Sequence, residues 1–413
     1  MALRRSSPSP ERFTGPKPAR DRLPALTTVD QGRASDVHTP ATLVRGGTSK
    51  CWLFNQVHVP ADRDELERML VAAYGAGDPV ELDGVGGATP TTSKAAIVSA
   101  SPEPGVDVDY LFAQVGIGTG SVEWTSNCGN CATGVALYAV AKGMVPITGD
   151  RTRVVMRNTN TGAVLEGNVD TIGGVVHHFG RQTVPGTRAG GVAVGLTFRE
   201  PAGGTTGLLL PTGQAAQELR AGTAGPVRVT MVDAGAPVVL VDAGSADRTG
   251  AETLERMQTE VPWLRAVRHA AAPLMGLLEP GLRPGEEPGD AVPKVGLVGP
   301  PVPYTTTLGE RVAADDYDIS VRMLSMNAPH PAVGLTSAVA VAAAGLLEGS
   351  VVSRAAGGPT AEWLRLGTPA GVVAVRCTDV VDGLPRRVTV QRAARLLADA
   401  RIYVPETGSP QAA

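Results

Sequence analysis

The sequence predicts an α+β fold made of two similar halves, each an apolar helix wrapped by a strongly bent sheet. Three observations predict it. A strand–glycine turn–strand pattern around residues 42–54 returns around residues 229–241. Each copy is followed by an amphipathic helical stretch (64–74 and 255–278). In each half a polar cluster then runs into a helix of small apolar residues, Thr125-Ser-Asn-Cys128-Gly-Asn-Cys131 into 132–145 and Ser325-Met-Asn-Ala-Pro-His330 into 331–345. The last helix carries no charge until Glu348 and is expected to be buried on every side.

The remaining elements follow in order. The first 40 residues are rich in Pro, Ser and Arg, show no periodicity and read as a disordered extension without an apolar signal core. A first domain is expected over 41–172 plus 396–405, a second over 173–395, and a tail over 406–413. In the first, residues 45–50 form a turn, 84–93 a Gly- and hydroxyl-rich loop and 94–99 an apolar strand. Residues 116–120 make a hairpin turn, and 153–169 a strand–turn–strand. In the second, strands are expected at 175–179, 192–198, 207–210 and 227–232. A Pro/Gly/Glu-rich loop follows at 280–290, and 363–377 closes the copy.

Composition excludes several classes. A net charge of −3 leaves no basic surface for nucleic acid. No apolar run approaches the roughly 18 residues of a membrane span. Four cysteines scattered over 413 residues are too few for a disulfide scaffold, so a reduced, cytoplasmic protein is expected. A small molecule is the expected partner; the residues leave the oligomeric state open, with a homodimer as a guess.

Cys128 is the sharpest chemical candidate. At the start of an apolar helix the N-terminal dipole favours a thiolate, and Gly129 lets backbone N–H groups approach a ligand. A structural thiol in a capping segment is the alternative. Cys128-Gly-Asn-Cys131 also has redox spacing but no thioredoxin-like surroundings, and a zinc site would need ligands that the spacing does not supply. Lys94 ends the hydroxyl-rich loop, after Thr92 and Ser93. A desolvated lysine near cations such as Arg45 and Lys50 can act as a base. Arg322, before the second polar cluster, could clamp a carboxylate or lie in solvent; His330 could be an acid/base group or a helix cap.

These stretches together resemble the 2-methylaconitate isomerase (PrpF) family of the diaminopimelate-epimerase-like superfamily. The resemblance rests on Arg45-Gly-Gly-Thr-Ser49-Lys50, the loop ending Thr92-Ser93-Lys94, Ser126-Asn127-Cys128-Gly129-Asn130, Leu208-Leu-Leu-Pro-Thr-Gly213, Pro293-Lys-Val and Asp318-Ile-Ser-Val-Arg322-Met-Leu-Ser325-Met. It implies two pseudo-duplicated domains, each a mixed β-sheet barrel around a central helix. It further implies a site between them, and a last strand, near 401–404, returning to the first domain. It implies isomerisation of a small unsaturated di- or tricarboxylate of the methylaconitate, aconitate or oxalomesaconate type, without metal or organic cofactor. By motif Lys94 and Cys128 are catalytic. Arg45, Ser49, Lys50, Thr92, Ser93, Asn127, Gly129, Asn130, Arg322, Ser325 and His330 are expected to bind substrate. The chain departs from the pattern at Asn327 and at Gly367-Thr-Pro-Ala-Gly371. A Cα epimerase using Cys128 and His330, or a non-catalytic carboxylate-binding paralogue, are the competing readings.

Overall fold

The computed structural model describes residues 38–124, 127–222, 225–277 and 292–405. The extension up to residue 37, the tail from 406 and the loop 280–290 lie outside the described residues.

The chain opens with the hairpin β1 (His38–Gly46) and β2 (Ser49–Asn55). Helix α1 (Arg63–Tyr74) follows. The Asp62 carboxylate accepts the Asp64 and Glu65 N–H groups at its start, and Gly75 ends it in the left-handed conformation. Strand β3 (Lys94–Ala100) lies parallel to β2, and β4 (Val108–Val115) returns antiparallel to it, with the short β5 (Val122–Glu123) alongside. Helix α2 (Gly129–Ala141) is followed by β6 (Arg151–Asn158), β7 (Val164–Asp170) and β8 (Val192–Arg199).

The second half repeats the plan. Strand β9 (Gln217–Leu219) and the hairpin β10 (Val227–Ala234) and β11 (Ala236–Asp242) precede α3 (Leu254–Ala271). Strand β12 (Lys294–Gly299) runs parallel to β11. A small ribbon, β13 (Tyr304–Thr305) with β14 (Arg311–Val312), leads to β15 (Ile319–Ser325) and β16 (Ala328–Pro329). Helices α4 (Leu335–Gly345) and α5 (Val351–Ala355) follow, then β17 (Trp363–Thr368), β18 (Gly371–Val381) and the long β19 (Leu384–Tyr403).

Strand β19 completes the architecture. It pairs with β8 over residues 387–394 and with β1 over 394–403, closing β1–β2–β3–β4–β6–β7–β8–β19 into an eight-stranded barrel. Its first part also pairs with β18, so the same strand borders the second sheet, β10–β11–β12–β15–β17–β18–β19. A bridge between Ala202 and Ala234 brings the end of the first barrel onto β10. Helix α2 touches all eight strands of its barrel; α4 touches β10, β11, β17, β18 and β19. Both helices are apolar nearly all round because they are enclosed, as their composition predicts. Their linings, Val44, Phe112 and Leu165 about α2 and Leu240, Val321 and Val375 about α4, belong to one continuous core. Helices α1 and α3 cover the outer faces.

The structure corrects several expectations. Strand β8 and residues 387–394 complete the first barrel, so that barrel takes more of the chain than 41–172 plus 396–405. The stretches 175–179 and 207–210 are not strands. Val175 and Phe179 are exposed. Asp233 accepts the Thr205 and Thr206 N–H groups, and Gly203 and Gly207 have positive φ, which holds that segment as a turn. Helix α4 starts at Leu335 rather than at Pro331, with Gly334 as its N-cap, and α3 ends at Ala271 before Pro273. Among the described residues no helix is long and apolar enough to cross a membrane.

Candidate active site

The N-terminus of α2 is where the chemistry-bearing residues gather. Cys128 caps the helix, and its Sγ accepts the Cys131 N–H at 3.5 Å. The N–H groups of the first turn have no intrahelical acceptor, so this end carries partial positive charge. The β1–β2 turn approaches it closely: a Cβ on Gly46 would stand 2.0 Å from the Asn130 carbonyl oxygen. Asn130 Nδ2 donates to Thr48 Oγ1 at 3.0 Å, while its buried Oδ1 has no partner. Gly129 faces the other half, where a Cβ would lie 2.6 Å from Leu335 Cδ1 at the start of α4. The two buried helices thus meet at their N-terminal ends, and α4 has no side-chain cap there.

Lys94 joins this end from β3. Period-two alternation puts it on the face of Ala96 and Val98, which line the barrel. It is 8% exposed, its Nζ lies 5.0 Å from the Phe112 ring centroid, and it donates to Oε1 of Gln114, its cross-strand partner. Gln114 is held in turn by donating to Ser93 O at 3.0 Å. Cys51, Cys128 and Cys131 surround the amine electrostatically. Ser49 shares the inward parity of Cys51 and is buried. Asn127 accepts from the Tyr110 hydroxyl at 2.9 Å, which anchors the segment ahead of Cys128.

The protonation states differ from those the helix-end argument predicts. Burial works against the Lys94 ammonium, but Cys128, Cys131, Cys51 and Glu123 outweigh it and hold the amine above the ordinary lysine value. The Cys128 thiol is held well above its ordinary value, first by its contact with Cys131 and then by burial, against the pull of Lys94. At rest the pair is therefore an ammonium beside a thiol.

Several expected binders lie elsewhere. Arg45 and Lys50 are cross-strand partners on the outer face, because their neighbours Val44 and Cys51 point inward. Arg45 donates to Gly47 O and Gly190 O, each at 3.0 Å, and Lys50 is exposed. Thr92 bonds Thr89 at 2.7 Å, and Ser93 donates to Glu81 at 2.5 Å. Arg322 is buried on the outer face of β15. Its donors go to the carbonyls of Glu252, Val321 and Gly367, and its guanidinium stacks over Tyr304, so it clamps backbone rather than a ligand. Ser325 is exposed at the β15–β16 hairpin.

His330 does reach the central region. Its Nδ1 accepts the Ala332 N–H at 3.0 Å, and burial, then Lys294 and Arg392, push it down to about 4. Those two cations were not among the expected binders. Lys294 was legible as one of only five lysines in a chain with 37 basic residues, and it lies in the Pro293-Lys-Val stretch. Arg392 was legible by parity: it interrupts the inward series Val388, Val390, Ala394 of β19. Among the described residues no set of three or more His, Cys, Asp or Glu side chains converges as a metal site, and all four cysteines are free. A surface hollow between Leu346 and Val380 is lined by Cys377 but by none of the residues at the α2 N-terminus.

Comparison with known proteins finds relatives over nearly the whole described chain. A family model described as PrpF protein matches residues 36–405. A (4E)-oxalomesaconate Delta-isomerase from Novosphingobium sp. (strain KA1) is 34% identical over 372 residues, covering 88% of this chain and 97% of the relative. A 2-methyl-aconitate isomerase from Cupriavidus necator is 33% identical over 392 residues, covering 89% and 98%. The crystal structure of a methylitaconate-delta-isomerase superposes with a TM-score of 0.78 at 28% identity, covering 89% of this chain and 95% of that one. With the match running from the first strand of the barrel to the last, the chain belongs to the PrpF family and is an isomerase.

Proposed function

We propose that this isomerase moves a double bond, or interconverts cis and trans forms, in a small unsaturated di- or tricarboxylate, by proton transfer between Lys94, Cys128 and carbon. The observation that carries the proposal is that Lys94, on the inner face of the barrel, and Cys128, the N-cap of the helix it encloses, lie close enough to act electrostatically on one another. The relatives' substrates, oxalomesaconate and 2-methylaconitate, are acids of this kind. Two opposed helix N-termini and nearby cations suit polyanions.

The cycle balances without an oxidant. With the pair short of one proton, nitrogen or sulfur takes a proton from the carbon γ to a carboxylate. The C–H electrons form a new double bond, and the original π electrons pass into the carboxylate as a dienolate. Donors at the helix end stabilise that charge. The other member of the pair returns a proton at the α carbon, or the dienolate rotates and is reprotonated where it was formed. No organic cofactor or metal enters these steps. Four free thiols suit a reducing compartment, so we place the protein in the cytoplasm. His330, with its imidazole pushed down to about 4, is poorly matched to a second acid–base role near neutrality, which weighs against the Cα-epimerase reading.

The test is an NMR screen of unsaturated di- and tricarboxylates in D₂O. Deuterium should enter at the allylic carbon of the true substrate. Lys94→Ala should lower turnover by about 10²–10⁴-fold, the usual contribution of general acid–base catalysis. Exchange confined to a Cα bearing an amino or hydroxyl group would refute the proposal.

A further inference from the structure

Three donors near the site are left without work by the proton transfer. Arg392 is 3% exposed, its Nε has no hydrogen-bond partner, and no described carboxylate pairs with it. Burial alone lowers its guanidinium, to about 10, so no anion compensates it. Lys294 opens β12 on the inward parity of Val298, and likewise has no described acid partner. Burial and then Arg268 push its ammonium down, while Cys128 lies close enough to act the other way. His330 spends Nδ1 as an acceptor from Ala332, so its neutral ring carries the proton on Nε2 and offers a donor.

Geometry puts the three at the seam between the halves. Arg392 precedes Ala393, whose carbonyl takes the Gly47 N–H beside the α2 N-terminus. The β12–β15 register pairs Gly296 with Met323 and runs on toward Lys294 and Ser325; Met323 O accepts the His330 N–H. A buried and a half-buried cation without a described counter-charge are costly unless something supplies one.

We infer that Lys294, Arg392 and His330 form a second carboxylate subsite beyond the Lys94–Cys128 pair, which binds the substrate carboxylate remote from the reacting carbons and makes the enzyme favour tricarboxylates over dicarboxylates. The inference rests on the proposed polycarboxylate chemistry.

Calorimetric titration of the full chain with two saturated, unreactive acids tests it: propane-1,2,3-tricarboxylate and glutarate. Wild type should bind the tricarboxylate more tightly. Arg392→Gln and Lys294→Gln should each weaken the tricarboxylate by about ten- to a hundredfold, the loss of one charged hydrogen bond, and leave glutarate unchanged. Arg392→Lys should recover part of the loss. Unchanged tricarboxylate affinity in both Gln variants, or an equal loss for both acids, overturns the subsite. If Arg392→Gln does not fold, the same comparison with Lys294→Gln decides. Wild-type deuterium exchange with unaffected variants sinks the subsite alone; wild type that neither binds nor exchanges any of these acids removes the proposed function along with it.

Discussion

At the scale of single residues, the site is governed by one shared proton deficit. Lys94 is held above its ordinary value and the Cys128 thiol above its own, so at neutral pH both carry protons. Turnover should therefore rise with pH as the pair loses one proton, and kcat should follow a single macroscopic ionisation that belongs to both groups. Cys128→Ser should displace that limb, which a kcat–pH profile would show; an unmoved limb would mean the sulfur is not coupled to it. His330 bears on stability rather than on turnover. Its folded value of about 4 lies below the unfolded 6.5, so its contribution is complete above pH 6.5 and is lost as pH falls toward 4. At about 1.4 kcal/mol for each pH unit between the two values, the loss is about 3 kcal/mol. His330→Gln should flatten urea-derived stability across that window. Of these groups, Lys94 and Cys128 stood out in the sequence because one ends a hydroxyl-rich loop and the other starts an apolar helix. That Arg45, Lys50 and Arg322 lie on outer faces has one cause. A motif gives adjacency along the chain, whereas a strand sends neighbours to opposite faces, so a run of polar residues cannot all line one site.

At the scale of elements, α2 is legible because its residues must be small. Ala132, Gly134, Ala136 and Ala139 let eight strands close around it. Its N-terminus was harder to place, because the contact that sets it comes from a turn about 80 residues earlier in the chain. The prediction at this scale is Gly46→Ala. The added methyl would meet the Asn130 carbonyl at 2.0 Å, where a backbone rather than a flexible side chain would have to yield. Overpacking of this kind costs about 1–3 kcal/mol. The Tm should fall, and activity should fall further than stability, because the displaced turn carries the capping segment with it. Gly77→Ala, which meets open space, serves as the control and should change neither.

For the molecule as a whole, the duplication was plain in the sequence, and the sharing of one strand between its halves was not. Pairing partners separated by more than 300 residues leave no local trace, which is why the boundary drawn at residue 396 fell inside β19. Deleting the chain from Leu384 onward removes a partner from β1, β8 and β18 at once. The loss should exceed the roughly 5–15 kcal/mol that holds a native fold, and the fragment should lack near-ultraviolet circular dichroism. The same arrangement bears on any attempt at fragment complementation. A piece ending before β10 would have a barrel with one stave missing, and its complement would carry that stave as a spare edge. Co-expressed, the two should reassemble by strand donation; apart, each should be prone to aggregate through the exposed edge.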